Sequence, residues 1–240
     1  MDDAEFDQKL IAAAFALAAE RGWRRVSPAE AARQADLPLA RARERFPSRA
    51  AILLRFGRMA DQAALGDPPR EGTVRDRLFY LLMQRIDVLQ THREGVLALL
   101  RALPNQPQTA LLLGCATRRS MRWLLQAAGV ATHGIRGDLR VKGLVGVWLW
   151  ALRAWQGDET TDMSHTMAAV DTALKRAERF AGWLGGGSRP AAPPPGDEIP
   201  PGEPPSPESP PPPVPPEPPS APQTTPPMPP AMPLPAEPLA

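Results

Sequence analysis

Proline placement divides this chain more sharply than any other feature. Of 32 prolines, 25 lie from Pro190 onward and only seven precede it. Proline lacks a backbone donor and breaks helix interiors. Runs such as residues 210–213 also carry too little apolar surface to offset the entropy of ordering them. Residues 186–240 are therefore expected to be a disordered proline-rich tail, entered through the flexible hinge Gly185-Gly186-Gly187-Ser188. Such a tail serves as a solvated spacer or offers extended segments to a proline-recognising partner. Residues 1–185 are the part that can bury a core.

In that part the apolar periodicity is helical throughout, with no β-alternation of useful length and no internal repeat. Phe6, Leu10, Ala13, Ala14, Leu17 and Ala18 fall on one face of a helix over residues 5–21, and Gly22 stops it. Ser27 then caps a short helix to about residue 35, with Pro28 at its first position and Glu30 placed for a capping box. Asp36-Leu37-Pro38 is a turn, residues 39–45 a third helix, and Ser48 the cap of a fourth helix ending near residue 65. Further helices are expected near 73–92, 94–103, 107–128, 138–156 and 162–184, with Gly129, Gly134 and Gly137 in the divider before the fourth of these. The expected fold class is all-α: a three-helix head over 5–65, a helical-bundle body over 70–185, and the tail.

Charge is concentrated in the head. Residues 21–58 hold ten arginines against Glu30, Asp36 and Glu44, which suits a polyanionic partner. A single cysteine, Cys115, excludes an intrachain disulfide and reads as a small packing residue. The acidic start Met1-Asp2-Asp3-Ala4-Glu5 is unlike a signal peptide, and the apolar stretch over 141–155, interrupted by Lys142 and Arg153, is too short to span a bilayer. A cytoplasmic protein without integral membrane association is expected. His92, His133 and His165 lack metal-ligand spacing, no phosphate-cradling loop or nucleophile elbow occurs, and Asp158, Glu159 and Asp162 read as polar-turn acids. No enzyme activity, metal or cofactor is expected.

Three short helices in about forty residues with a basic third helix have helix-turn-helix geometry, in which the second helix positions the third in the major groove. The stretch VSPAEAARQADLPLARARERFPSRAAIL at 26–53 resembles the head of the TetR family of transcriptional regulators. Ser27 falls on that family's capping hydroxyl, Ala32 and Ala35 on its small packing residues, Leu37 on the apolar turn residue, Phe46 on the aromatic anchor and Arg49 on its usual lysine. The departures are Asp36 for the family's turn glycine, Arg43 for its phosphate-contacting tyrosine and Pro28 for a β-branched residue. The resemblance implies binding of double-stranded DNA as a homodimer, with Ser27, Arg41, Arg43, Glu44, Arg45 and Arg49 as the DNA-binding set. It also implies a small apolar effector in the body that modulates operator affinity.

A second resemblance covers the body. Residues 102–104, TALLLGCATRRSMRWLLQAAG and VKGLVGVWLWALRAWQGDE are similar to a lipid-binding accessory family of ubiquinone biosynthesis that uses the same fold without binding DNA. Lys142, the 155–158 segment and the helix carrying Thr166 and Asp171 carry this likeness. The stretch 130–137 lacks that family's aspartate-rich and tryptophan-tyrosine segment.

Two residue sets complete the expectations. Soft or large apolar groups on successive body helices, Met83, Leu112, Cys115, Met121, Leu124 and Trp148, with Trp123, read either as ordinary core or as the lining of a cavity for an apolar effector or lipid. The wide stripes of the last two helices, with Val145, Trp148, Leu152, Met167, Val170 and Leu174, mark a four-helix dimer interface.

Overall fold

Side-chain caps set four of the first five helix starts. Asp2 accepts from the Glu5 amide at 2.7 Å and opens α1 (Asp3–Arg21), which Gly22 ends at φ +81°. A 3-10 turn at Trp23–Arg25 leads to Ser27, whose hydroxyl accepts from the Glu30 amide at 3.2 Å and caps α2 (Pro28–Gln34). The expected capping box is modified here: the Glu30 carboxylate accepts from the Ser27 hydroxyl at 2.9 Å. Next come α3 (Leu39–Arg45) and α4 (Arg49–Gly66), the latter capped by Ser48. A complete capping box, Thr73 with Asp76, opens α5 (Val74–Thr91). The remaining helices are α6 (Arg93–Ala102), α7 (Pro107–Ala127), α8 (Gly134–Gln156) and α9 (Ser164–Leu184). The structure is a computed structural model and describes residues 1–184; the expected tail lies outside the described residues. Among the described residues there is no strand, and no helix is long and apolar enough to cross a membrane.

The fold class and helix order agree with the sequence reading, with one shift. α8 begins at Gly134, four residues ahead of its expected start, so Gly137 is helical and does not divide helices. The reason is a backbone contact: a Cβ on Gly137 would stand 2.2 Å from the Thr132 carbonyl carbon. Only glycine lets the 129–133 connection fold back onto the first turn of α8.

At the other end of α8, Asp158 is buried and builds the corner into α9. Its carboxylate accepts from the Thr160 amide at 3.1 Å and from the Thr166 amide and hydroxyl, both at 2.7 Å. Burial pushes this carboxyl up, and the hydrogen bonds outweigh it, holding the group well below the usual carboxylate range. Arg93 donates to the Trp155 carbonyl at 3.0 Å and the Asp158 carbonyl at 2.9 Å, and Trp155 Nε1 donates to Gln90 at 2.8 Å. The 155–158 segment is thus the joint between α5, α6, α8 and α9.

Head and body share one hydrophobic core that runs from Phe6 to Leu174. One close contact between them is α6 on α1, where a Cβ on Gly95 would lie 2.3 Å from the Phe15 carbonyl oxygen. Beside it, His92 stacks on Phe15, with ring centroids 5.5 Å apart, and meets Phe56 of α4 edge-on. Because the obstruction at Gly95 is backbone, Gly95→Ala must move one helix off the other. The expected loss is about 1–3 kcal/mol, read from denaturant midpoints; an unchanged midpoint would show that α1 and α6 adjust freely.

Candidate nucleic-acid interface and body cavity

The α2–α3 turn decides what the head can present. Asp36 adopts φ +51°, in the left-handed region, and Leu37 N–H donates back to the Ala32 carbonyl at 2.8 Å. Aspartate tolerates that conformation better than most residues, so it fits where the family resemblance has glycine. Ala32, Leu37 and Phe46 are buried and Ala35 is half-buried, which seats α3 against the head core.

The basic residues of α3 divide into two groups. Arg45 and Arg41, one turn apart, face α1. Arg45 grips buried Asp7 with two hydrogen bonds, at 2.7 and 2.8 Å, and reaches Asp3 at 2.6 Å. Arg41 also pairs with Asp3, and its guanidinium lies 4.5 Å from the Phe6 ring centre. Arg55 of α4 pairs with the same carboxylate, its Nε 2.6 Å from Oδ2, an oxygen that Arg45 also holds. Arg49, expected on a phosphate, donates to the Arg24 carbonyl at 2.6 Å. Of the expected DNA-contacting arginines, the structure therefore commits Arg41, Arg45 and Arg49 to bonds within the head. Asp3 and Asp7 are four residues apart on one face of α1, and that spacing is the signal that could have revealed the clamp.

Arg43 and Glu44 are exposed, with Leu39 and Ala40, on the outer face of α3. Arg24, Arg25, Arg33 and Arg58, absent from the expected set, are also exposed and their side chains have no partner among the described residues. Ser27 acts through its cap on α2.

In the body, the six expected pocket residues are split between core and surface. Met121, Leu124 and Trp148 are packed in the core, Met83 and Leu112 are half-buried, and Cys115 is exposed. Cys115 lies six residues before Met121, roughly 120° around the helix from it, so it cannot share the buried face and is not the packing residue expected. A cavity of about 430 Å³ lies between α5, α7, α8 and α9, and none of the six lines it. Leu78, Leu125, Leu144 and Leu174 give it an apolar floor, and Arg75, Arg136, Arg140 and Glu178 also line it.

The expected interface set also divides. Trp148, Val170 and Leu174 point into the protomer core, while Val145, Leu152 and Met167 are half-buried. The stripe looked wider than one neighbour needs because α8 and α9 pack on each other as well as on α5 and α7. The exposed apolar groups of α8 are instead Leu149 (59% exposed) and Trp150 (53%), with Leu139 and Ile135 nearer its start. Trp148 itself lies under the buried Arg85 guanidinium, 4.9 Å from its ring centre. Arg85 also pairs with Asp61 of α4, which accepts from the Ser120 hydroxyl at 2.6 Å.

Asp7 offers a direct test of the clamp. Burial raises its carboxyl, and Arg45 and Arg55 outweigh that and hold it below its ordinary value. A depressed carboxylate contributes stability above the unfolded-state value of about 4, and this is lost as pH falls below it. Asp7→Asn should cost about 2–3 kcal/mol at neutral pH and flatten the acid limb of the stability–pH curve. A variant as stable as wild type, with the same acid limb, would remove Asp7 from this role.

No family model and no curated protein matches the sequence. Solved structures do. The chain is similar to a TetR transcriptional regulator from Nitrosomonas europaea, with a TM-score of 0.60 and 19% identity over 73% of this chain and 99% of that one. It is also similar to a TetR-family transcriptional regulator from Streptomyces coelicolor, with a TM-score of 0.55 and 21% identity over 77% of this chain and 85% of that one. With helix order, head geometry and these likenesses in agreement, the chain has the fold of the TetR transcriptional regulators.

Proposed function

We propose that this protein is a DNA-binding transcriptional regulator that works as a homodimer and responds to a small effector in its body. The observation that carries the reading is the α2–α3 unit. Asp36 holds the turn in the left-handed conformation, Ser27 caps α2, and α3 turns an exposed face bearing Arg43 and Glu44 away from the core. Arginine donates bidentately to guanine or phosphate and glutamate accepts from cytosine. Unpaired Arg24, Arg25 and Arg33 extend the cationic surface and suit backbone contacts. Arg41 and Arg45 then serve by aiming α3, and Arg49 by tying α4 to the 23–25 turn.

The test is a titration of the full chain against its best genomic fragment at two salt concentrations. Arg43→Ala should weaken specific binding by about 1–3 kcal/mol if it reads a base, or lower the salt slope by about one unit if it contacts a phosphate. Arg33→Ala should weaken binding to all sequences alike and lower the salt slope by about one unit. Binding that ignores both substitutions, or that shows no preference for any genomic sequence, would defeat the regulator reading.

The dimer contact falls on the outer face of α8. Gly146 sits mid-helix, where glycine costs about 1 kcal/mol relative to alanine, and a Cβ on it would meet nothing in the protomer. Together with exposed Leu149 and Trp150, it shapes a shallow apolar face suited to the same helix of a second copy. Leu149→Glu with Trp150→Glu should give a folded monomer by light scattering, whereas charges at Val170 and Leu174 should unfold the protomer. A dimer that survives the first pair places the contact elsewhere.

A second reading, a lipid-binding accessory protein without DNA function, draws on the apolar cavity. Of the residues that carried that resemblance, Trp155, Asp158 and Thr166 are accounted for by the α8–α9 corner. Lys142 is exposed on α8. Co-purified lipid with no sequence-specific DNA binding would favour this second reading.

A further inference from the structure

The cavity between α5, α7, α8 and α9 has a chemical polarity that narrows what it can hold. Its floor, Leu78, Leu125, Leu144 and Leu174, is buried and offers no hydrogen-bonding side chain. A ligand part seated there gains only by removing apolar surface from water. The volume, about 430 Å³, lies in the lower part of the range of small-molecule sites. That suits one chain and not a two-tailed lipid.

The cavity also carries charge on one sign more than the other. Arg75 is balanced by Glu178 at 3.6 Å. Arg136 and Arg140 are not balanced. They are one turn apart on α8, where like charges repel by a few tenths of a kcal/mol. The one acid between them, Asp138, is taken by Arg122 at 2.7 Å and Arg118 at 3.1 Å. Arg140 uses a single nitrogen, on the Ala131 carbonyl at 3.0 Å, and Arg136 has no partner among the described residues. Both are exposed while the leucines are not, so the cationic end faces solvent and the apolar end faces inward. An anion at that end would relieve the repulsion and accept charge-assisted hydrogen bonds from two guanidiniums.

We propose that this cavity binds a single-chain amphiphilic carboxylate, its alkyl chain on the leucine floor and its carboxylate between Arg136 and Arg140. The inference deepens the effector part of the regulator reading by giving the effector a place and a class. The site stands on its own geometry, and DNA binding is scored separately, so either can fail without the other.

Calorimetry on the full chain, with dodecanoate and uncharged dodecanol below their aggregation limits, tests it. Dodecanoate should bind one per protomer and about tenfold more tightly than dodecanol, the margin of one charge-assisted contact. Arg136→Ala should remove most of that margin and leave dodecanol unchanged. Gly143 lines the cavity and has open space beyond its Cβ position, so Gly143→Leu should fill the site and abolish uptake of both compounds. Ala177→Phe, from α9, is the second filling variant, and thermal melts confirm that each is folded. Equal affinity for the two compounds, uptake undiminished in both folded filling variants, or no uptake of dodecanoate would each overturn the proposal. Tight binding of phosphatidylglycerol vesicles with no binding of free dodecanoate would overturn it in favour of a membrane surface. A DNA titration with and without dodecanoate then reads the coupling on the same preparation.

Discussion

One buried carboxylate organises the head. Asp7 on α1 takes two hydrogen bonds from Arg45 of α3 and an ion pair from Arg55 of α4, so three helices meet on a single charge. A carboxylate removed from water is tolerated only when fully paired, and this one is paired twice. The consequence is rotational. With Arg41 and Arg45 drawn toward α1, helical geometry turns Leu39, Ala40, Arg43 and Glu44 outward. The face that α3 can show a partner is thus set by acids at the start of α1, outside the helix-turn-helix itself.

The head is tied to the body at two kinds of contact. One is close packing, with Gly95 against the Phe15 backbone and the His92 ring against the touching rings of Phe15 and Phe56. Burial lowers the His92 pKa, which favours the neutral ring that such a stack needs. The other is polar: Asp61 of α4 meets Arg85 of α5 and Ser120 of α7, and Arg85 lies over Trp148 of α8. α4 therefore touches the body through a charge that must stay paired, and through an aromatic contact that must stay packed. Both resist independent motion of α4 and the body helices.

The amphipathic pattern made nearly every helix legible, because periodicity, caps and breakers are local properties. Ser27 and Ser48 mark their helix starts without reference to anything distant. The resemblance at 26–53 also held where it concerned packing, since Ala32, Leu37 and Phe46 are core residues. What the residues alone did not reveal was partnership. Ten arginines in one stretch looked like one basic surface, yet Arg41, Arg45, Arg49 and Arg55 are used inside the head, two of them on acids nearly forty residues away. The soft apolar residues of α5, α7 and α8 suited either core or one pocket; several pack in the core, and the cavity opens between different side chains.

Sequence by itself determined the helices, their order and the turn at Asp36, because these depend on neighbours within a few residues along the chain. Tertiary structure alone decided which arginines remain free, which face of α8 is exposed and where the cavity lies. Each of those depends on which helices come together, and a helix with apolar or charged groups on several faces does not specify which neighbour each face will meet. Val170 and Leu174 illustrate the point: their spacing guaranteed a buried stripe, but only the packing of α9 against α5 and α8 placed that stripe inside the protomer.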